Sequence, residues 1–249
     1  MSRRRGHELR HYHVVRAAPL VAAFFSWLPA CAGTPAGSAR SSSEAAIPAA
    51  ARRRIPPSFE SLESATEDTG ETAEAGEWEK AGQCSSRARA AWSDLRPRVL
   101  ADGASQPLID RVDAALARLE ADVRSADARA AALEANALGG ALADLADLYS
   151  AFPLLRLDVA FRRVQLGAKY ADWSEVSRGV SDAQMAWTRW QAGARARMDG
   201  RSKAASTAQR IDRTLAQLAT ATETRATHDA ATLASEGLEL VDEMEKVFP

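Results

Sequence analysis

Residues 112–119 read VDAALARL, and residues 211–218, which lie 99 positions later, read IDRTLAQL. In both stretches the large apolar residues recur at steps of three and four, which is the spacing of one face of an α-helix. Both stretches also place an aspartate directly after the first apolar residue. The two segments therefore predict amphipathic helices, and they indicate that one helical unit occurs twice in the chain.

Two further pairs of segments extend the repeat in the same order. Two tryptophans stand fourteen residues apart in each copy, as Trp78 and Trp92 and, 95 positions later, as Trp173 and Trp187. Closing stripes match at a shift of 96 residues: Leu142, Leu145, Leu148 and Phe152-Pro153 against Leu238, Val241, Met244 and Phe248-Pro249. The sequence thus predicts two related three-helix units, at residues 77–153 and 172–249.

Between the copies lies the segment 154–170 (LLRLDVAFRRVQLGAKY), whose apolar residues occupy more than one helix face. A helix of this kind is usually central in a bundle, and no counterpart for it is evident before the first copy. The fold class predicted is therefore all-α. We expect an antiparallel helical bundle of about seven helices, made of two related three-helix units plus a central linking helix, with the tryptophans in the core.

The N-terminus has the form of an export signal. Residues 1–16 are polar and rich in arginine, and residues 17–30 (AAPLVAAFFSWLPA) are apolar. This run is too short for a standard transmembrane helix, which needs about twenty apolar residues, but it is typical of a secretory signal peptide. The motif Leu28-Pro29-Ala30-Cys31 resembles the lipobox of bacterial lipoproteins, with Pro29 in place of the usual small residue. The resemblance implies removal of residues 1–30, lipidation of Cys31, and anchoring to a membrane of the bacterial envelope, in the periplasm or on the outer surface.

A second interpretation of the same residues stays open. Ala30-Cys31-Ala32 also fits an ordinary signal-peptidase site, and cleavage after Ala32 would release a soluble secreted or periplasmic protein. Residues 31–76 carry few aromatic or aliphatic side chains, and residues 60–79 contain eight acidic residues and no basic one. Such a composition predicts a disordered tether, so we expect the helical domain to occupy residues 77–249.

Charge and residue types exclude several classes of function. Residues 80–249 contain equal numbers of acidic and basic residues, so the domain lacks the basic excess of a nucleic-acid-binding protein. Beyond residue 31 the chain has one histidine, His228, and one cysteine, Cys84. These are too few for a zinc site or a di-iron bundle, and no nucleophile motif accompanies the histidine. We therefore expect no enzymatic activity, no metal and no cofactor.

Two candidate binding arrangements are nevertheless compatible with the sequence. A haem inside the bundle would need His228 together with Met185 or Met244 as ligands; otherwise the histidine is solvated and the methionines fill the core. Arg156, Arg162 and Arg163 can line an anion-binding cleft between the two copies. The alternative for these arginines is structural ion pairing, for example between Asp158 and Arg162 at helical spacing.

The function predicted is that of a membrane-tethered, non-enzymatic envelope lipoprotein that acts as an interaction or scaffold module. Its expected partners are the membrane, through the lipid, and an envelope protein, but not nucleic acid. The alternative is a helical bundle that binds a small molecule or cofactor between the two copies.

Overall fold

The computed structural model describes residues 55–149, 154–198 and 202–248. These residues form eight α-helices and one short 3-10 helix, Asp147–Tyr149, and no strand, which confirms the all-α class. The α-helices are α1 Pro57–Glu74, α2 Trp78–Ala101, α3 Gln106–Ser125, α4 Ala128–Ala146, α5 Leu155–Lys169, α6 Trp173–Met198, α7 Ser202–Thr224 and α8 Thr227–Glu245. None of the described helices combines the length and the apolar character needed to cross a membrane.

The helices form two units of four, rather than two units of three with a linking helix. One buried core is built from α1 to α4 together with Leu155 of α5, and a second from α5 to α8. In the first unit α1 packs on α2 and α4, and α3 also packs on α2 and α4; in the second, α5 to α8 repeat this pattern. The predicted central helix is therefore the first helix of the second unit, and α1 is its counterpart.

Helix α1 shows that the predicted disordered tether was too long. Residues 31–76 were expected to be disordered, but Pro57–Glu74 is helical, and Phe59 and Leu62 are fully buried. The buried hydroxyls of Thr66 and Thr69 donate hydrogen bonds to the carbonyl oxygens one turn earlier, at 2.7 and 2.6 Å. Small and hydroxyl-bearing residues thus form an inward stripe, so the helix packs with few aliphatic side chains. The predicted domain start at Glu77 is consequently too late by a whole helix.

The structure fixes the register of the repeat. Left-handed backbone conformations end α1 and α5 at Gly76 (φ 74°) and Ala171 (φ 54°), and end α3 and α7 at Ala126 (φ 55°) and Arg225 (φ 52°). The first two helices of each unit are therefore related by a shift of 95 residues and the last two by 99. The predicted shift of 96 for the closing helices is wrong, because Leu145 corresponds in position and burial to Met244. An error of three residues is nearly one helical turn, which leaves an apolar stripe almost in phase.

The same hydrogen bond joins the second and third helices of each unit. The indole nitrogen of Trp92 donates to Asp113 at 2.6 Å, and that of Trp187 donates to Asp212, also at 2.6 Å. Both indoles are buried, as the sequence predicted, and a buried indole N–H needs such an acceptor. The aspartate after the first apolar residue of VDAALARL and IDRTLAQL is thus explained by the tryptophan it holds.

We expect Phe59→Ala to destabilise the protein by about 3–5 kcal/mol, because it removes a large, fully buried side chain and leaves a cavity. Urea unfolding followed by circular dichroism measures the effect. The control is Ser64→Ala on the exposed face of the same helix. Equal stability of the two variants would show that α1 does not contribute to the core.

Candidate functional site

A groove runs between α1 and α5, with α4 as its floor, where the two units meet. Equivalent positions of the repeat face each other across it. Lys169 lies 95 residues after Glu74, and its ammonium contacts the Glu74 carboxylate at 2.5 Å. Glu63 and Asp158 are likewise 95 residues apart, and both line the groove. The first helices of the two units therefore lie side by side, in register and in the same direction.

Ion pairs close the groove at the C-terminal ends of these helices. Besides Lys169, the hydroxyl of Tyr170 donates a hydrogen bond to Glu74 at 3.3 Å. One turn earlier, the guanidinium of Arg162 contacts Glu71 at 3.3 Å. At this end each acidic side chain of α1 thus faces a basic group of α5.

The other end of the groove is lined by acidic side chains that form no ion pair across the groove. Burial raises the pKa of Glu63 to about 7, and neighbouring carboxylates add to the effect. Burial also raises the pKa of the more exposed Glu67 to about 7 and that of Asp158 to about 6, although Arg162 opposes both increases. Asp158 has no hydrogen-bond partner within the described part of the chain. The result is a set of carboxylates whose pKa values, about 6 to 7, lie well above the ordinary range.

The floor between these carboxylates consists mostly of small or apolar side chains, with one amide. From α4 it is lined by Ala132, Ala135, Asn136, Gly139 and Leu142, and Val159 of α5 forms part of the wall. A Cβ atom at Gly139 would lie 3.2 Å from a methyl group of Val159, so glycine allows the two helices to approach here. The groove has a volume of about 50 Å³.

The three arginines predicted to line one anion cleft lie in two different places. Arg162 lines the acidic groove, whereas Arg156 and Arg163 line a second groove, between α4, α5 and α6. Arg156 pairs with Asp144 at 2.7 Å and Asp147 at 2.8 Å, and Arg163 pairs with Asp182 at 2.5 Å. The predicted common cleft is therefore wrong, and the carboxylates neutralise the two arginines that remain together.

The side chains considered as haem ligands from the sequence also lie in different parts of the structure. His228 is exposed near the start of α8, and Met244 is fully buried near its end. Sixteen residues of helix separate them by about 24 Å, so they cannot bind one iron. Met185 is 61% exposed and lines the second groove, whereas His228 lines a surface groove between α7 and α8. Cys31, the predicted lipidation site, lies outside the described residues.

Sequence reasoning missed the acidic groove because it assigned α1 to the tether. A signal was present, since Glu63, Glu67, Glu71 and Glu74 are spaced by four, four and three residues and so share one helix face. Asp158 was interpreted as the ion-pair partner of Arg162, but that arginine contacts Glu71 instead. No group of described histidines, cysteines and carboxylates is arranged to hold a metal ion.

The raised pKa of Asp158 gives a prediction about stability. Because the folded state holds this proton more tightly than the unfolded chain, stability falls as the pH rises from about 4 through 6. Asp158→Asn removes that loss, so we expect it to stabilise the protein by about 1–2 kcal/mol at pH 8, after allowance for solvent screening, and to change little at pH 4. Thermal unfolding across this range measures the effect. The control is Asp94→Asn on the exposed surface of α2, and equal pH profiles for both variants would contradict the assignment.

Comparison of the chain with protein-family models, curated proteins and solved structures gives no match.

Proposed function

We propose that this chain is a lipid-anchored, non-enzymatic protein of the bacterial envelope and that its helical body is an interaction module. The lipobox-like Leu28-Pro29-Ala30-Cys31 supports the anchor. With α1 assigned to the body, residues 32–54 remain as the connection between Cys31 and the first described residue. These 23 residues can reach at most about 80 Å when fully extended, enough to bring the body to partners well away from the membrane surface.

The observation that carries the interaction role is the groove between the two units. It offers a largely apolar floor flanked by charged groups, the combination by which binding sites provide both affinity and orientation. At its open acidic end, the partly buried Asp158 has no hydrogen-bond partner among the described residues, and carboxylates withdrawn from water are ordinarily paired in folded proteins. A cation supplied by another molecule would satisfy them.

The same groove supports a second candidate function, the binding of a small molecule between the two units. The groove lies at the junction of the two units, and the alternative function predicted from the sequence was binding of a small molecule between the two copies of the repeat.

The anchor is tested by Cys31→Ala, with Cys84→Ala as the matched control at the other cysteine of the mature chain. We expect the first variant to lose incorporation of labelled fatty acid and to leave the membrane fraction of a bacterial host. The second should behave as the wild type, because Cys84 is buried in the first unit. Unchanged membrane association of Cys31→Ala would overturn the proposed anchor.

The two forms of the function are separated by native mass spectrometry of the protein extracted gently from its own envelope. A co-purifying protein that is lost in Asp158→Asn would support the interaction module. An added mass of a few hundred daltons on the helical body, lost in the same variant, would support small-molecule binding. Recovery of the body alone, carrying only its lipid, would contradict occupancy of the groove.

A further inference from the structure

The second groove, between α4, α5 and α6, is the larger of the two grooves at the junction of the units. It has a volume of about 320 Å³, which is within the range of small-molecule sites. Its walls come from both units, since α4 belongs to the first and α5 and α6 to the second. Among the described residues that line it are one acidic side chain, Asp182, and three arginines, Arg156, Arg163 and Arg189. The lining of this groove therefore carries an excess of positive charge.

The ion pairs behind this lining do not remove the excess. The carboxylate of Asp144 is shared by Arg111, at 2.8 Å, and Arg156, at 2.7 Å. The carboxylate of Asp147 is shared by Arg156, at 2.8 Å, and Arg189, at 3.5 Å. Within the described part of the chain, three guanidinium groups thus share two carboxylates. One positive charge of this network is left unmatched.

The unmatched charge lies at the Arg189 end of the groove. Arg163 contacts Asp182 at 2.5 Å and Glu175 at 3.6 Å, and Arg178 also contacts Glu175. These two arginines therefore share two carboxylates and add no excess. By contrast, the side chain of Arg189 is 69% exposed, and its contact at 3.5 Å is the longest in its network. Its guanidinium is thus accessible to an anion in the groove.

The neighbouring guanidinium of Arg156 is incompletely satisfied. Its Nη1 and Nη2 atoms contact Asp144 and Asp147, but its Nε atom is withdrawn from solvent and donates no hydrogen bond to any described residue. A buried donor without an acceptor carries a desolvation cost. A negative charge in the groove would offset part of this cost by electrostatic attraction.

The uncharged lining of the groove is apolar. Met185 of α6 lies in its wall and is 61% exposed, which is unusual for a large hydrophobic side chain in the described part of this protein. The other uncharged residues of the lining are small or aliphatic: Gly140, Ala143, Val159, Ala160 and Ala186. A short hydrocarbon chain in contact with this surface would remove apolar area from water on both sides.

We propose that the second groove binds a small organic monoanion, a carboxylate carried on a short apolar chain, with the carboxylate at Arg189 and the chain against Met185. A single unmatched positive charge favours a monoanion. The planar guanidinium can donate two parallel hydrogen bonds to a carboxylate, which also orients it. This site is separate from the groove between α1 and α5, so the proposal does not depend on occupancy of that groove.

The experiment is isothermal titration calorimetry of the protein with sodium n-hexanoate at pH 7. We expect saturable binding at one site, weakened at least tenfold by Arg189→Gln because the charged donor is lost. Met185→Gln, which makes the wall polar at similar length, should also weaken binding. The matched control is Arg87→Gln on α2, since Arg87 is 61% exposed and also forms one ion pair. This control should bind as the wild type, and thermal unfolding shows that each variant is folded.

Further ligands test each part of the assignment. n-Hexylammonium chloride has the same chain with the opposite charge and should not bind, and acetate, with almost no chain, should bind at least tenfold more weakly. The proposal is overturned if hexanoate does not bind, if hexylammonium binds equally well, or if Arg189→Gln keeps full affinity. An equal loss in Arg87→Gln would also overturn it, because net charge alone would then explain the binding.

A carboxylate could also come from the acidic side chain of a protein partner. Equal binding of Nα-acetyl-glutamate methylamide would overturn the small-molecule assignment in favour of such a partner. Asp158→Asn should bind hexanoate as the wild type does, because Asp158 lines the other groove. The outcome for this site is therefore separate from the tests of the proposed function.

Discussion

Phe59 and Leu62 of α1 pack into a core that α2, α3 and α4 alone would leave partly exposed to water. Both side chains are inaccessible to solvent, and α1 lies against both α2 and α4. In the second unit, α5 covers the same two neighbouring positions, α6 and α8. Three helices alone would leave the apolar stripes of the outer helices in water, so each unit depends on its first helix, α1 or α5. Because α1 and α5 each cover the side of their unit that faces the other, they come to lie next to each other, and the groove follows from that placement.

The two units share a framework of polar contacts that sequence divergence has altered in a few places. The Trp–Asp hydrogen bond is kept in both, as is the ion pair between the third and fourth helices, Arg111–Asp144 at 2.8 Å and Arg210–Glu243 at 2.9 Å. By contrast, Arg118–Glu134 in the first unit corresponds to Gln217 and Leu233, which line an open groove between α7 and α8. The ion pair between the third and fourth helices is thus present in both units, whereas the pair formed by Arg118 and Glu134 has no counterpart in the second unit.

The features that the sequence predicted correctly were those with strong periodicity. Stripes such as Leu116 and Leu119, and the tryptophan spacing, predicted helices, core residues and duplication. Helix α1 was not predicted because its inward face consists mostly of alanine, threonine and glycine. This composition resembles that of a linker, although the segment packs tightly as a helix. The predicted repeat shift between α4 and α8 was wrong by three residues, since apolar periodicity alone hardly distinguishes shifts that differ by about one helical turn. The glutamate spacing of α1 indicated one side of the site, but the site as a whole could not be predicted, because its members come from helices that only the tertiary structure brings together.

The acidic end of the groove is a departure from the pairing found along the rest of the α1–α5 contact. Carboxylates in a partly buried site reduce stability at neutral pH, since burial disfavours their ionisation and neighbouring carboxylates add to the effect. The fold tolerates this because most of each core lies within one unit, so the cost falls mainly on the junction. A cation at this position would remove the repulsion and join α1 to α5 at their N-terminal ends, as Lys169 already joins them at the other. Ligand binding, ionisation of Asp158 and the rigidity of the junction would then be linked, and a change in one would be measurable in the other two.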